Sequence, residues 1–162
     1  MRRSLVIVSM AAAACGPAQP AQNAEPTAPM SIEELRAAWI PLAKEEATLT
    51  SDLTLLPTLG SEEKSRRLTR MRQSAGFISA GLGRLRPPEV LVWCHRTARD
   101  AAKLANETLD RINEVWMGRA TVGRATAEQL STDLCEALHS LAAARQACGV
   151  TESVTVPTVC GG

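Results

Sequence analysis

Apolar residues recur at helical spacing from Ser31 to Gly149, and no stretch alternates with period two for long enough to predict a sheet. Four amphipathic segments result. The first opens at Ser31, which forms a capping-box pattern with Glu34, and carries Ile32, Leu35, Trp39, Leu42 and Ala43 at helical spacing. Pro41 lacks the N–H that would bond back to the carbonyl of Ala37, so a kink or break is expected near Trp39. The helix should then continue to about Leu56, with Pro57 and Gly60 ending it. The second, from about Glu62 to Leu85, sets Leu68, Met71, Ala75, Ile78, Leu82 and Leu85 on a bundle-type seam, and Pro87 and Pro88 close it. The third, about Glu89 to Met117, carries Val90, Thr97, Ala101, Leu104, Ala105, Leu109, Ile112 and Trp116. A turn containing Gly118 and Gly123 leads to Thr126 and Gln129, a second capping-box pattern. It should open a fourth helix with Leu130, Leu134, Leu138 and Leu141 that stops at Gly149.

Four helices joined by short connections predict an all-α fold, an up-down-up-down four-helix bundle over residues 31–149. The following residues, 150–162, are rich in β-branched side chains and contain Pro157, so they are expected to form an extended tail across the bundle. Gly76, Gly81 and Gly83, with Ala75, Ser79 and Ala80, form a small-residue patch on the second helix. It costs helix propensity but permits close approach of another helix, the first or the third before a second copy of the chain.

The cysteines test this alignment. If the third and fourth helices turn about residue 122, Cys94 lies beside Cys148. Pairing Cys94 with Cys135 would span about 22 Å of helical rise, and Cys135 with Cys148 about 20 Å, against ~5.5 Å between bridged Cα atoms. With Cys15 set apart in the N-terminal segment, two disulfides remain: Cys94–Cys148, and Cys135–Cys160, the latter reached by the extended tail running back along the fourth helix. They would staple the tail to the bundle. No CxxC or other close pair supports a redox or metal role.

The N-terminus has a separate pattern. Arg2 and Arg3 precede an apolar stretch from Leu5 to Met10, and Ala11 to Ala14 lead directly to Cys15. This segment resembles the export signals of bacterial lipoproteins, in which small residues precede a modified Cys, although Ala12 stands where Leu is usual. The resemblance covers about fifteen residues and implies cleavage of residues 1–14, lipidation of Cys15 with palmitate-type acyl chains, and retention on a membrane. Gly16 rather than Asp after the Cys implies the outer membrane, facing the periplasm. Two or more acyl chains, at about 0.8 kcal/mol per buried methylene, hold a soluble domain on a bilayer almost permanently. Residues 15–30 then form a lipid-anchored tether. Four Pro and four Ala between Gly16 and Met30 favour extended backbone that reaches up to about 45 Å.

Charge and composition restrict the function. The chain of 162 residues carries net charge +1, which becomes −1 without Arg2 and Arg3. Four aromatic residues, Trp39, Phe77, Trp93 and Trp116, and no Tyr argue against ring-stacking recognition of sugars or single-stranded nucleic acid, and no nucleic-acid partner is expected. His95 and His139 would lie about 15 Å apart along the bundle and cannot share a metal. No haem, zinc, serine-nucleophile or phosphate-loop motif is present, so no cofactor, no metal and no catalytic residue is expected.

Residues 31–63 hold seven acids and two bases, whereas residues 64–99 hold nine bases and one acid, Glu89. Opposite the Leu68 seam, Arg66, Arg70, Phe77 and Arg84 share a face and form the candidate contact surface. It would meet an envelope protein, anionic headgroups or an anionic envelope polymer. Alternatively, the acidic first helix packs beside the second, satisfies those arginines and covers Phe77. The expected function is a lipid-anchored envelope module for binding or scaffolding. The alternatives are a periplasmic sensor or carrier with an apolar cavity beside Trp93, Trp116 and the small residues of the second helix, and an enzyme without recognisable motifs.

Overall fold

The computed structural model describes residues 28–151, and these are helical, with no strand among them. The elements are α1 (Ile32–Leu55), α2 (Ser61–Arg84), α3 (Val92–Trp116) and α4 (Arg124–Ala147), with short 3-10 turns at Leu56–Thr58 and Glu89–Leu91. The signal segment, Cys15, most of the tether and the tail with Cys160 lie outside the described residues.

Each helix end has a local cause. Ser31 Oγ accepts from the Glu34 N–H at 3.1 Å, and Glu34 accepts from the Ser31 N–H at 2.7 Å, which completes the expected capping box of α1. α1 runs through Pro41 without interruption, so no break occurs near Trp39. Both Pro41 and Ala37 are exposed, and water can satisfy the carbonyl that the proline leaves unbonded. α4 also departs from expectation. It starts at Arg124 after an extended Gly123, so Thr126 lies inside the helix and does not cap it. An Arg124–Glu128 ion pair at 2.7 Å occupies the first turn instead. The other end of α4 closes as expected. Gly149, at φ 74°, permits the Val150 N–H to bond the Arg145 carbonyl at 3.1 Å and its own N–H to bond that of Gln146 at 2.8 Å.

α3 packs against both α2 and α4, and α1 packs against α2. Leu35, Trp39, Met71, Ile78, Leu82, Leu109, Leu134 and Leu138 form the centre of the core. The seams expected for α1, α2 and α4 are the buried ones, but that of α3 holds only in part. Ala101, Ala105 and Leu109 are buried as expected, whereas Val90, Leu104 and Trp116 are 66%, 45% and 41% exposed, Thr97 is also exposed, and Cys94, Ala98 and Ala102 are buried in their place. The reason is crowding. A helix with neighbours on two sides approaches both most closely along its smallest side chains, so alanines occupy the contact and the larger residues are displaced to its margins.

The small-residue patch of α2 takes neighbours from both flanking helices. A methyl group at Gly81 would collide with the Leu42 side chain of α1, and one at Gly76 would touch Asn106 of α3 at 3.5 Å. Cys94 and Cys148 form a disulfide with Cα atoms 5.7 Å apart, as the alignment about residue 122 requires. Cys135 is also a disulfide cysteine, and its expected partner, Cys160, lies outside the described residues.

Candidate functional site

The four residues of the candidate contact surface do not act as one free basic face. Arg70 donates to Asp52 of α1 through Nε at 2.5 Å and again through Nη2, and Arg67 reaches the same carboxylate at 2.5 Å. The alternative in which acidic α1 satisfies the α2 arginines therefore holds for Arg70. Arg66 bonds Glu62 one turn earlier on its own helix. Phe77 is not covered. It remains 53% exposed above a shallow groove of about 400 Å³ between α1 and α2, with Glu45, Thr48, Arg70, Gln73 and Ser74. Arg84 is exposed and has no ion pair among the described residues.

Asp52 holds this cluster together and was not singled out in the sequence, because its partners lie fifteen and eighteen residues away. Burial pushes its carboxyl upward, but hydrogen bonds and charge from Arg70 and Arg67 outweigh that and hold it below the usual range. A depressed carboxylate stabilises the fold above its unfolded pKa, and the contribution is lost as pH falls through the folded value. Asp52→Asn should therefore cost about 1–2 kcal/mol at neutral pH, because the arginines are partly solvated. Urea unfolding over a pH series checks this: the gap from wild type should close in acid, and a gap of constant size would show that the ion cluster is not its source.

His95 is a second feature that spacing did not reveal. It is buried, packs edge-on to Trp39 with ring centroids 6.0 Å apart, and places Nε2 3.0 Å from the Leu82 carbonyl. That carbonyl offers only lone pairs, so Nε2 carries the proton and donates to the last turn of α2. Burial, opposed by this hydrogen bond and helped by nearby Arg99, lowers the imidazole pKa and keeps the ring neutral. His139 is exposed on α4, and no group of three His, Cys, Asp or Glu among the described residues is placed to hold a metal ion.

A third cluster surrounds His95. A groove of about 700 Å³ runs between the α2–α3 connection and the incoming chain, bordered by Ala28, Pro29, Arg86, Val92, Arg96 and Arg99. The Met30 N–H bonds the Arg86 carbonyl at 2.9 Å, which fixes where the N-terminal segment enters the body. Trp93, 61% exposed, and Val90 stand beside this groove in sequence. Trp116 lies at the opposite end of α3, where its indole N–H donates to Ser65 Oγ at 2.8 Å. No helix among the described residues is long and apolar enough to cross a membrane. No family model, no curated protein and no solved structure matches this chain.

Proposed function

We propose that this chain is a bacterial envelope lipoprotein, acylated at Cys15, whose helical body is a binding or scaffolding module rather than an enzyme. The observation that carries the reading is the Cys94–Cys148 disulfide between α3 and α4, because such bonds persist in oxidising compartments outside the cytosol. It agrees with an N-terminal segment that ends in alanines and Cys15. The body is an up-down-up-down bundle. Contacts that run in opposite order along successive helices support this: Asp52 with Arg67 and Leu42 with Gly81, Ser65 with Trp116 and Leu82 with His95. The tail is stapled through Cys135 and Cys160, a pairing that accounts for the oxidised state of Cys135.

The buried Glu46 and Arg145 are engaged with each other, and buried Asp52 is engaged with the partly solvated Arg67 and Arg70, which favours binding over catalysis. The carrier alternative draws less support. Trp93 and Trp116 are exposed, and Leu42 and Asn106 fill the space beside the small residues of α2. Growth of the native host with an alkyne-tagged palmitate analogue tests the anchor. The wild-type chain should take up the label, Cys15→Ser should lose it, and mass spectrometry should find the mature chain beginning at modified Cys15. An unlabelled wild-type chain that begins at Met1 would sink the proposal.

A further inference from the structure

We infer that the end of the body formed by the α2–α3 connection and the first turns of α3 is a membrane-contact face that lies on anionic phospholipid headgroups. Val90, Val92 and Trp93 are 66%, 40% and 61% exposed within four consecutive residues. An indole and short aliphatic side chains beside cations suit the boundary between headgroups and acyl chains. Arg86, Arg96 and Arg99 line one groove with Val92, and Arg84 ends α2 beside it in sequence. Arg84, Arg86 and Arg96 have no ion pair among the described residues, and Arg99 reaches only the exposed Asp100, at 3.9 Å.

The opposite end of the bundle supplies the comparison. Leu55, Trp116 and Met117 are also exposed there, where Arg66, Arg119 and Arg124 pair with Glu62, Glu114 and Glu128, while Lys64 and Arg111 have no ion pair among the described residues. Apolar exposure alone therefore does not distinguish the two ends. Arginines without an ion pair together with the entry of the N-terminal segment do. The acids near the proposed face are Glu33, Glu34, Glu89 and Asp100, and Glu34 is engaged with Ser31 in the capping box.

The path of the chain adds an independent argument. The N-terminal segment enters the body in this groove, where Ala28 and Pro29 line it and Met30 bonds Arg86. Thirteen positions separate Cys15 from Ala28, a reach of up to about 40 Å at ~3.1 Å per residue. An acyl anchor at Cys15 thus brings this end within reach of the bilayer. That step rests on the acyl-anchor reading, whereas the charge and exposure arguments do not. The tether would supply the affinity, and the patch would set which end of the body faces the lipid.

The test uses the unacylated mature chain, residues 15–162 with Cys15→Ser, so that only the face can bind. Its net charge is −1, the +1 of the full sequence less Arg2 and Arg3, so overall charge disfavours an anionic surface and any attraction is local. Vesicles of equimolar phosphatidylglycerol and phosphatidylethanolamine should bind it at low ionic strength, and phosphatidylcholine vesicles should not. Each arginine near such a surface contributes about five-fold in partitioning, so Arg84→Gln, Arg86→Gln and Arg96→Gln together should weaken binding about 100-fold. The matched set at the other end, Arg66→Gln, Arg119→Gln and Arg124→Gln, should change it little. Quenching by lipid with brominated chains should vanish in Trp93→Phe and persist in Trp116→Phe.

Failure to bind the anionic vesicles, equal binding to phosphatidylcholine, or an equal loss from the other end's variants would each overturn the inference. The same holds for quenching that follows Trp116, and for a Trp93 that stays unquenched because the chain's own tail or a soluble partner covers it. Fatty-acid labelling of the wild-type chain is read separately, so loss of this face and loss of the anchor are distinguishable outcomes. Circular dichroism of each variant confirms that it is folded.

Discussion

Replacing Cys94 and Cys148 together by Ala should lower the stability of the helical body by about 4 kcal/mol, the loop-closure value for their separation of 54 residues. For a body of this size that corresponds to a fall in Tm of roughly 10–15 °C. Both cysteines are fully buried, and the bond fastens the start of α3 to the residue that ends α4. Its removal frees the unfolded chain to expand and also takes two sulfur atoms out of the core. Thermal unfolding followed by helical circular dichroism gives the number, and reduction of the wild type, which also opens the disulfide of Cys135, should cost at least as much. A change below about 1 kcal/mol would mean that neighbouring contacts already fix this end of the bundle.

The second large effect is expected from Glu46 and Arg145. They meet across α1 and α4, with Arg145 Nε 3.1 Å from Glu46 Oε2, and both are almost completely buried. Arg145 Nη1 also donates to the Val150 carbonyl at 3.0 Å, so the pair holds the chain where it leaves α4. Desolvation is the largest influence on Glu46 and pushes its carboxyl up to about 7, against the opposing charge and hydrogen bond of Arg145. Glu46→Leu leaves a guanidinium buried without its carboxylate and should cost about 3–5 kcal/mol, and Arg145→Met should cost a similar amount. The double substitution should recover most of that loss, because an apolar pair removes both desolvation penalties. Chemical denaturation of the four proteins in a double-mutant cycle measures the coupling, and additive losses would show that the two residues act independently.

The same carboxyl gives a pH signature. A raised folded pKa means that the native protein retains a proton that the unfolded chain releases above about pH 4.5. Its contribution is therefore fully present below that value and is lost as pH rises through about 7. Glu46→Gln should flatten the stability profile across that window. Asp52 has the opposite sign and acts only in acid, so the two carboxylates are separable by pH.

Much of the fold was legible because its signals are local. The Ser31–Glu34 capping box, the prolines and glycines that close α1, α2 and α4, and the leucine seams of α1, α2 and α4 depend on residues within a few turns of one another. The Cys94–Cys148 pairing was also derivable, since helical rise and one turn position fix which thiols lie level. The candidate site was less legible. Arg70 shares a face with Arg66, Phe77 and Arg84, but periodicity does not reveal that Asp52 of the preceding helix already holds it.

By itself the sequence determined that residues 31–149 are helical, where each helix starts or stops to within a few residues, and which cysteines could meet. Each of these is a matter of backbone sterics, capping and spacing along one chain. The tertiary structure alone decided that the buried face of α3 includes Cys94, Ala98 and Ala102 rather than Val90, Leu104 and Trp116, which arginines remain without a carboxylate, and that His95, Glu46 and Arg145 belong to the interior. Those outcomes depend on distances between helices, where a small side chain permits close approach and a buried charge requires a partner remote in sequence. Hydrophobic spacing records which residues share a helical face, but not which neighbour that face will meet.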